Sequence, residues 1–252
     1  MSFNPDVLKT LFDKRDQYVN TSITQYLKLS AGIHQIRFCG PWNATCNTPI
    51  RFALNHGSFD FPLKDKDGFG RQPLCMKYVF ENPDIVNALI SKLTKEKIVA
   101  DYNIFTKEGC LGCRLQEIFK NSGKKIKFLK PNYYTNVILR SDGKCYVWNT
   151  PGAALDAIKM IYPMYPDLFD PNKGIDFNVS ATGEKLSRKY VVSPINSPCP
   201  QGSAELHDLD QVMADGYRSY SEMIELINNT YPQVLPMLGV TPNMVATPTT
   251  PF

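Results

Sequence analysis

Tyr133–Trp148, YYTNVILRSDGKCYVW, reads as strand, turn and strand. Aromatic and β-branched residues carry the first strand to Arg140, Asp142-Gly143 supplies a tight reversal, and Lys144–Trp148 carries the second. A lone hairpin is marginal in water, so further strands are expected beside it. Residues 33–39 (Ile-His-Gln-Ile-Arg-Phe-Cys) and 50–54 read as strands around a turn-rich stretch at 40–49. Residues 125–130 read as another strand, leading into 133–140. Phe177–Ser180 and Lys189–Val192 bracket Thr182-Gly183 as a second hairpin, followed by a Pro-rich loop at 194–200. Helical spacing recurs over the first thirty residues and over 83–100, 114–120, 152–161 and 207–229. Short hairpin-linked strands with helical insertions predict an α+β, mainly β protein: a small barrel core decorated with helices.

At 252 residues the chain is long enough to bury a sizeable core, and 43% hydrophobic with 21% charged content is that of an ordinary globular protein. No apolar run of about 18 residues predicts a membrane span, and Met-Ser-Phe-Asn-Pro-Asp does not read as a signal peptide. Seven cysteines, an odd number, point to reduced thiols in a reducing cytosol. The net charge of +4 is unevenly spread. From Lys92 to Lys144 twelve Lys/Arg face five Asp/Glu, whereas from Cys199 to Phe252 one Arg faces six acids. A basic centre suits a polyanion, although a solvated face has the same composition.

Glu108–Arg114, EGCLGCR, holds two thiols two residues apart with glycines at 109 and 112. Such a turn can wrap a tetrahedral metal, and two further ligands would complete a Cys3His structural zinc site with no open position. His56, in a loop after a strand, and Cys75, ahead of a helix, are the leading partners. Cys39 and Cys46 compete with them, Cys39 reading more easily as a buried strand residue. A redox role for the Cys-x-x-Cys pair would want a βαβ context that the pattern lacks.

Residues 124–136, KKIKFLKPNYYTN, interleave lysines with aromatics, and aromatics continue at Tyr146 and Trp148. Unpaired nucleic acid requires both: cations against phosphates, and flat side chains that contribute about 1–3 kcal/mol per stacked base. Adjacent tyrosines in a strand face opposite sides, so one of Tyr133 and Tyr134 is expected to turn inward. No helix concentrates Arg and Asn on one face as a duplex reader would.

A series of residues in consistent order then carries a resemblance. It runs from Ile36-Arg37-Phe38 through Asn55-His56-Gly57, Cys75 and the Cys110/Cys113 pair to the Lys-rich strand ending Tyr133-Tyr134-x-Asn136. A Gly-Lys hairpin, the strand from Gly174 to Val179, Tyr217–Met223 and Pro232-Gln233-Val234 follow. Over roughly residues 27–240 the chain resembles the single-stranded-DNA-binding, helix-destabilising proteins of T-even-type bacteriophages. The resemblance implies an OB-fold core (about 31–200) containing a zinc subdomain (about 55–120), a helical arm at 1–30, a C-terminal helix packed on the core at 201–240 and a disordered tail at 241–252. It implies one structural Zn2+ held by His56, Cys75, Cys110 and Cys113. It also implies DNA-binding roles for Arg37, Lys124, Lys125, Lys127, Lys130, Tyr133, Tyr134, Tyr146, Trp148 and Phe177. Three departures stand out: a longer gap from Cys75 to Cys110, an N-terminal arm with only Lys14-Arg15, and an end in Thr-Pro-Thr-Thr-Pro-Phe rather than a long acidic tail.

The function so implied is binding without catalysis: coating and melting of unpaired DNA in phage replication, recombination and repair, in the cytoplasm of the infected bacterium. The partners would be single-stranded DNA and phage replication and recombination proteins, with no membrane, as a monomer or weakly self-associating chain, cooperative on DNA. The alternatives are a zinc-containing nuclease-like enzyme and an RNA-binding regulator. Against the enzyme, the sequence has no Gly-rich phosphate loop, no HExxH and no Ser/His/Asp order. His207-Asp208-Leu209-Asp210 reads as a helix start with acids in its first turn.

Overall fold

Among the described residues, eight strands and seven α-helices follow one another along the chain. The strands are β1 (Gly32–Phe38), β2 (Ile50–His56), β3 (Leu63–Lys64), β4 (Gly70–Arg71), β5 (Leu129–Leu139), β6 (Lys144–Asn149), β7 (Ile175–Thr182) and β8 (Lys189–Pro198). The helices are α1 (Met76–Phe80), α2 (Pro83–Lys92), α3 (Lys95–Glu108), α4 (Leu111–Asn121), α5 (Gly152–Ile161), α6 (Leu209–Ala214) and α7 (Tyr220–Thr230). This computed structural model describes residues 25–43, 48–57, 61–123, 128–184 and 187–240. Most of the expected N-terminal helix, Cys46, Lys124, Lys125, Lys127 and the tail from residue 241 lie outside them. No helix among the described residues is long and apolar enough to cross a membrane.

The protein is α+β, in two units interleaved along the sequence. One comprises Met1–Pro49 and Thr135–His207, the other Ile50–Tyr134 and Asp208–Phe252. In the first unit the sheet order is β5-β1-β7-β8, with β6 also on β5. β1 runs antiparallel to β5 and β7, and β7 to β8: Phe38 lies opposite Val137, Ile36 opposite Phe177, and Val179 opposite Val192. Period-2 alternation sends Ile36, Phe38, Phe177, Val179 and Val192 to one face, where α5 adds Ala154, Ile158 and Ile161. The Phe38 ring stacks on Trp148 at 5.9 Å and meets Phe177 edge-on at 5.2 Å. Each such side chain, fully buried, contributes about 1.5–3 kcal/mol.

The sheet is open, a correction to the expected barrel core. β8 ends the path, and its composition suits an edge: Pro194 and Pro198 have no N–H to give a further neighbour. The strand nevertheless runs through the segment expected as a Pro-rich loop, and its register shifts between Ile175 and Phe177.

The second unit is mostly helical. Leu74, Val79, Leu89, Ile98 and Met213 form one buried cluster, and Leu63, Leu115, Phe128, Ile224 and Ile227 another. The helix expected over 83–100 is two helices, broken where Leu93 is extended (φ −121°, ψ 173°). The helix expected over 207–229 is also two. Asp208 caps the first, accepting from the Asp210 and Gln211 amides at 2.9 and 3.2 Å. Ser219 caps the second in a reciprocal box with Glu222. Between them the buried Asp101 carboxylate on α3 accepts from the Tyr217 hydroxyl and from the Tyr220 amide at 3.1 Å.

Candidate metal centre

His56 ends β2, and its main chain is clamped on both sides before any side chain is considered. The His56 amide donates to the Pro73 carbonyl at 2.7 Å, and the Cys75 amide donates to the Leu54 carbonyl at 2.7 Å. On the other side the Gly57 amide donates to the Phe128 carbonyl at 2.8 Å. Asn55 reinforces the join, donating to the Gln72 carbonyl at 2.6 Å and accepting from Asn132 at 2.9 Å. Two candidate ligands far apart in sequence thus sit on adjacent, hydrogen-bonded segments. The other two come from α4: Cys110 is its N-cap and Cys113 lies in its first turn. Gly109, at φ +72°, makes the turn out of α3 that a side chain would resist.

The four ligand atoms of His56, Cys75, Cys110 and Cys113 all lie within 4.8 Å of one another. His56 Nε2 is 3.2 Å from Cys110 Sγ and 3.9 Å from Cys113 Sγ, and the Cys75 and Cys113 sulfurs are 3.7 Å apart. Tetrahedral zinc with Zn–S bonds of about 2.3 Å sets sulfurs about 3.8 Å apart, and sulfur and imidazole nitrogen about 3.6 Å apart. The spacings straddle those values. His56 is fully buried, Cys75 and Cys110 are buried, and Cys113 is half-buried. Together the donors fit a borderline-soft ion. Cys39 and Cys145 instead lie in a separate small cluster of the first unit.

Electrostatics concentrate charge on one sulfur. Burial opposes a charge on His56, but hydrogen bonds and negative charge from Cys110 and Cys75 outweigh it and push its pKa up to about 9. Cys110 is held well below the usual thiol range by hydrogen bonds from Cys113 and Cys75, burial opposing and His56 assisting. Cys113, hydrogen-bonded to that sulfur and to Cys75, is pushed up. A buried imidazole and three thiols packed this closely are a set that a divalent cation would relieve.

The nucleic-acid residues expected from sequence divide sharply. Arg37, Trp148 and Phe177, expected at the DNA, are buried in the first unit. The Arg37 guanidinium donates to the carbonyls of Leu168 at 2.7 Å, Ile175 at 2.8 Å and Asp170, fastening the loop ahead of β7. Burial pulls its pKa down while Asp176 opposes the fall. Tyr146 is half-buried, its hydroxyl donating to Asp142 at 2.6 Å.

In the second unit Lys130 is exposed and Tyr133 and Tyr134 are half-buried. Tyr133 also has company that the sequence reading missed. The Phe52 ring on β2 lies 5.1 Å from it and 5.2 Å from Tyr78 on α1. All three rings are half-buried. Phe52 alternates with the buried Ala53 and was open to reading as an outward strand position. Tyr78 sits in a five-residue helix too short to show periodicity. Compared with protein-family models and with curated proteins, the sequence matches none.

Proposed function

We propose that the protein binds single-stranded DNA without catalysing its breakdown, and that one structural zinc ion, held by His56, Cys75, Cys110 and Cys113, stiffens the binding surface. One observation carries this reading. The two upstream ligands belong to the same two segments as the aromatic group: His56 shares β2 with Phe52, and Cys75 starts the helix that carries Tyr78. An ion joining those segments to α4 would fix the Phe52–Tyr78–Tyr133 rings before a strand arrives. Half-buried rings retain faces on which bases can stack, and Lys130, with Lys124, Lys125 and Lys127 earlier in the basic run, would supply cations for phosphates. The resemblance to the T-even phage helix-destabilising proteins points the same way, and with it the OB-type ancestry of the sheet and a place in phage replication, recombination and repair.

Zinc's contribution is structural: with four protein donors there is no open position to activate water. The chain's own residues would track phosphates and wedge bases, stabilising melted DNA relative to duplex. A fluorescence titration with oligo(dT) tests this directly. Binding at low salt that weakens steeply as salt rises is expected, whereas no binding, or salt-insensitive binding, overturns the proposal. A magnesium-dependent cleavage assay and competition with matched RNA address the enzyme and RNA-binding alternatives.

A further inference from the structure

A metal-bound histidine ordinarily donates its second ring N–H to a carboxylate, carbonyl or water, and that bond fixes the ring's orientation. The Nδ1 of His56 is buried and has no hydrogen-bond partner among the described residues. The ring is held by packing instead. Phe128 lies alongside it, ring centroids 5.5 Å apart and inclined by 31°. Gly112, in the first turn of α4, approaches it closely. A Cβ on residue 112 would come within 2.6 Å of His56 Nε2, and nearer still to Cδ2 and Cγ.

We propose that Gly112 is a positioning residue of the metal centre: its missing side chain is the space that the imidazole occupies when Nε2 faces the three sulfurs. This rests on the metal reading above. It also assigns the inner glycine of EGCLGCR a role other than turn-making. Gly112 lies within the regular helix Leu111–Asn121, where alanine is the better helix former, so the backbone offers no reason for glycine. Helix propensity and ring clearance therefore oppose each other at this position. Adding one methyl group should improve α4 and displace His56 from the sulfurs.

The test compares four full-length proteins: wild type, Gly112→Ala, His56→Ala and the double variant. Zinc affinity is measured by chelator competition and ligand geometry by the visible absorption of the Co2+ forms. Gly112→Ala should weaken zinc binding tenfold or more and move the Co2+ bands toward those of His56→Ala. In the His56→Ala background, with no ring to strike, the same change should alter affinity less than twofold. An equal loss in both backgrounds, or wild-type affinity and spectrum in Gly112→Ala, overturns the proposal. A double variant that folds like His56→Ala where Gly112→Ala alone does not supports it; failure of both, with His56→Ala folded, overturns it by placing the obstacle in the backbone. A wild-type protein that takes up neither zinc nor cobalt overturns the metal reading itself, a result distinct from the others.

Discussion

The two units bury chemically capable side chains to different ends. In the first, an arginine and two large aromatics of the type that grips nucleic acid are spent on the interior. Arg37 fastens three carbonyls, and Phe177 and Trp148 pack around Phe38. In the second, three cysteines and a histidine are buried facing one another, with one ring nitrogen lacking a hydrogen bond. Buried polar groups are normally satisfied. The Arg37 guanidinium reaches three carbonyls within the fold, its Nε alone lacking a partner among the described residues, whereas the His/Cys set turns four metal-binding atoms toward one another. Residue type proposes a role, and what the side chain is packed against decides between structure and site.

The most severe way to break this contrast is to remove the ion. Structural zinc sites contribute folding free energy outright, and apparent binding energies run to about 10–16 kcal/mol in zinc-finger peptides. Cys110→Ser, or exhaustive chelation, should therefore cost the second unit several kcal/mol. For a chain of this size each kcal/mol corresponds to about 2–4 °C in melting temperature. A melting temperature unmoved by chelator, with no zinc by elemental analysis of the untreated protein, would return the four residues to ordinary core.

Arg37→Met probes the opposite side. It keeps the aliphatic stem and removes the donors to the carbonyls of Leu168, Ile175 and Asp170, the last of which still accepts from the Gly174 amide at 3.0 Å, at about 1–3 kcal/mol for each acceptor left dry. A loss of about 3 kcal/mol in urea unfolding is expected, with the DNA affinity of the folded protein unchanged. Reduced affinity at full stability would restore Arg37 to the binding surface. Tyr133→Ala and Phe52→Ala should do the reverse. Stability should fall modestly, and oligo(dT) affinity should fall by the about 1–3 kcal/mol that a stacked base contributes. Equal affinity in both variants would remove the aromatic group from the interface.

Much of this was legible in the sequence, for reasons that differ by element. The Asp142-Gly143 hairpin and α5 carry local signals that no tertiary contact overrides, and both lie where those signals put them. The four clustered His/Cys residues were named too, but Cys-x-x-Cys spacing alone left Cys39 and Cys46 in play; the main-chain clamp between 54–57 and 73–75 is a long-range fact. Closure of the sheet was not legible, because strand pairing order leaves no trace in period-2 alternation. The burial of Trp148 and Phe177 was not legible, because an aromatic in a strand looks alike whether it faces solvent or core. Apolar spacing ran straight through both helix breaks. At the second, Ser219-x-x-Glu222 was a readable start signal that the periodicity over 207–229 obscured.

That capping box gives the smallest of the expected effects, one belonging to the second unit's own fold. Burial works against a charge on Glu222, but bonds from the Ser219 amide at 2.6 Å and side chain, and Lys97 at 3.4 Å, prevail and lower its pKa from 4.5. A carboxylate whose folded pKa is depressed stabilises above its unfolded value and loses that contribution as pH falls through the folded one. The side chain is 44% exposed, so solvent screening holds the contribution to about 0.5–1 kcal/mol. Glu222→Gln should therefore unfold slightly more easily than wild type at pH 6–7, and the gap should narrow steadily below about pH 4.5. A gap independent of pH would mean that Glu222 acts through its shape and hydrogen bonds alone, with its charge contributing nothing.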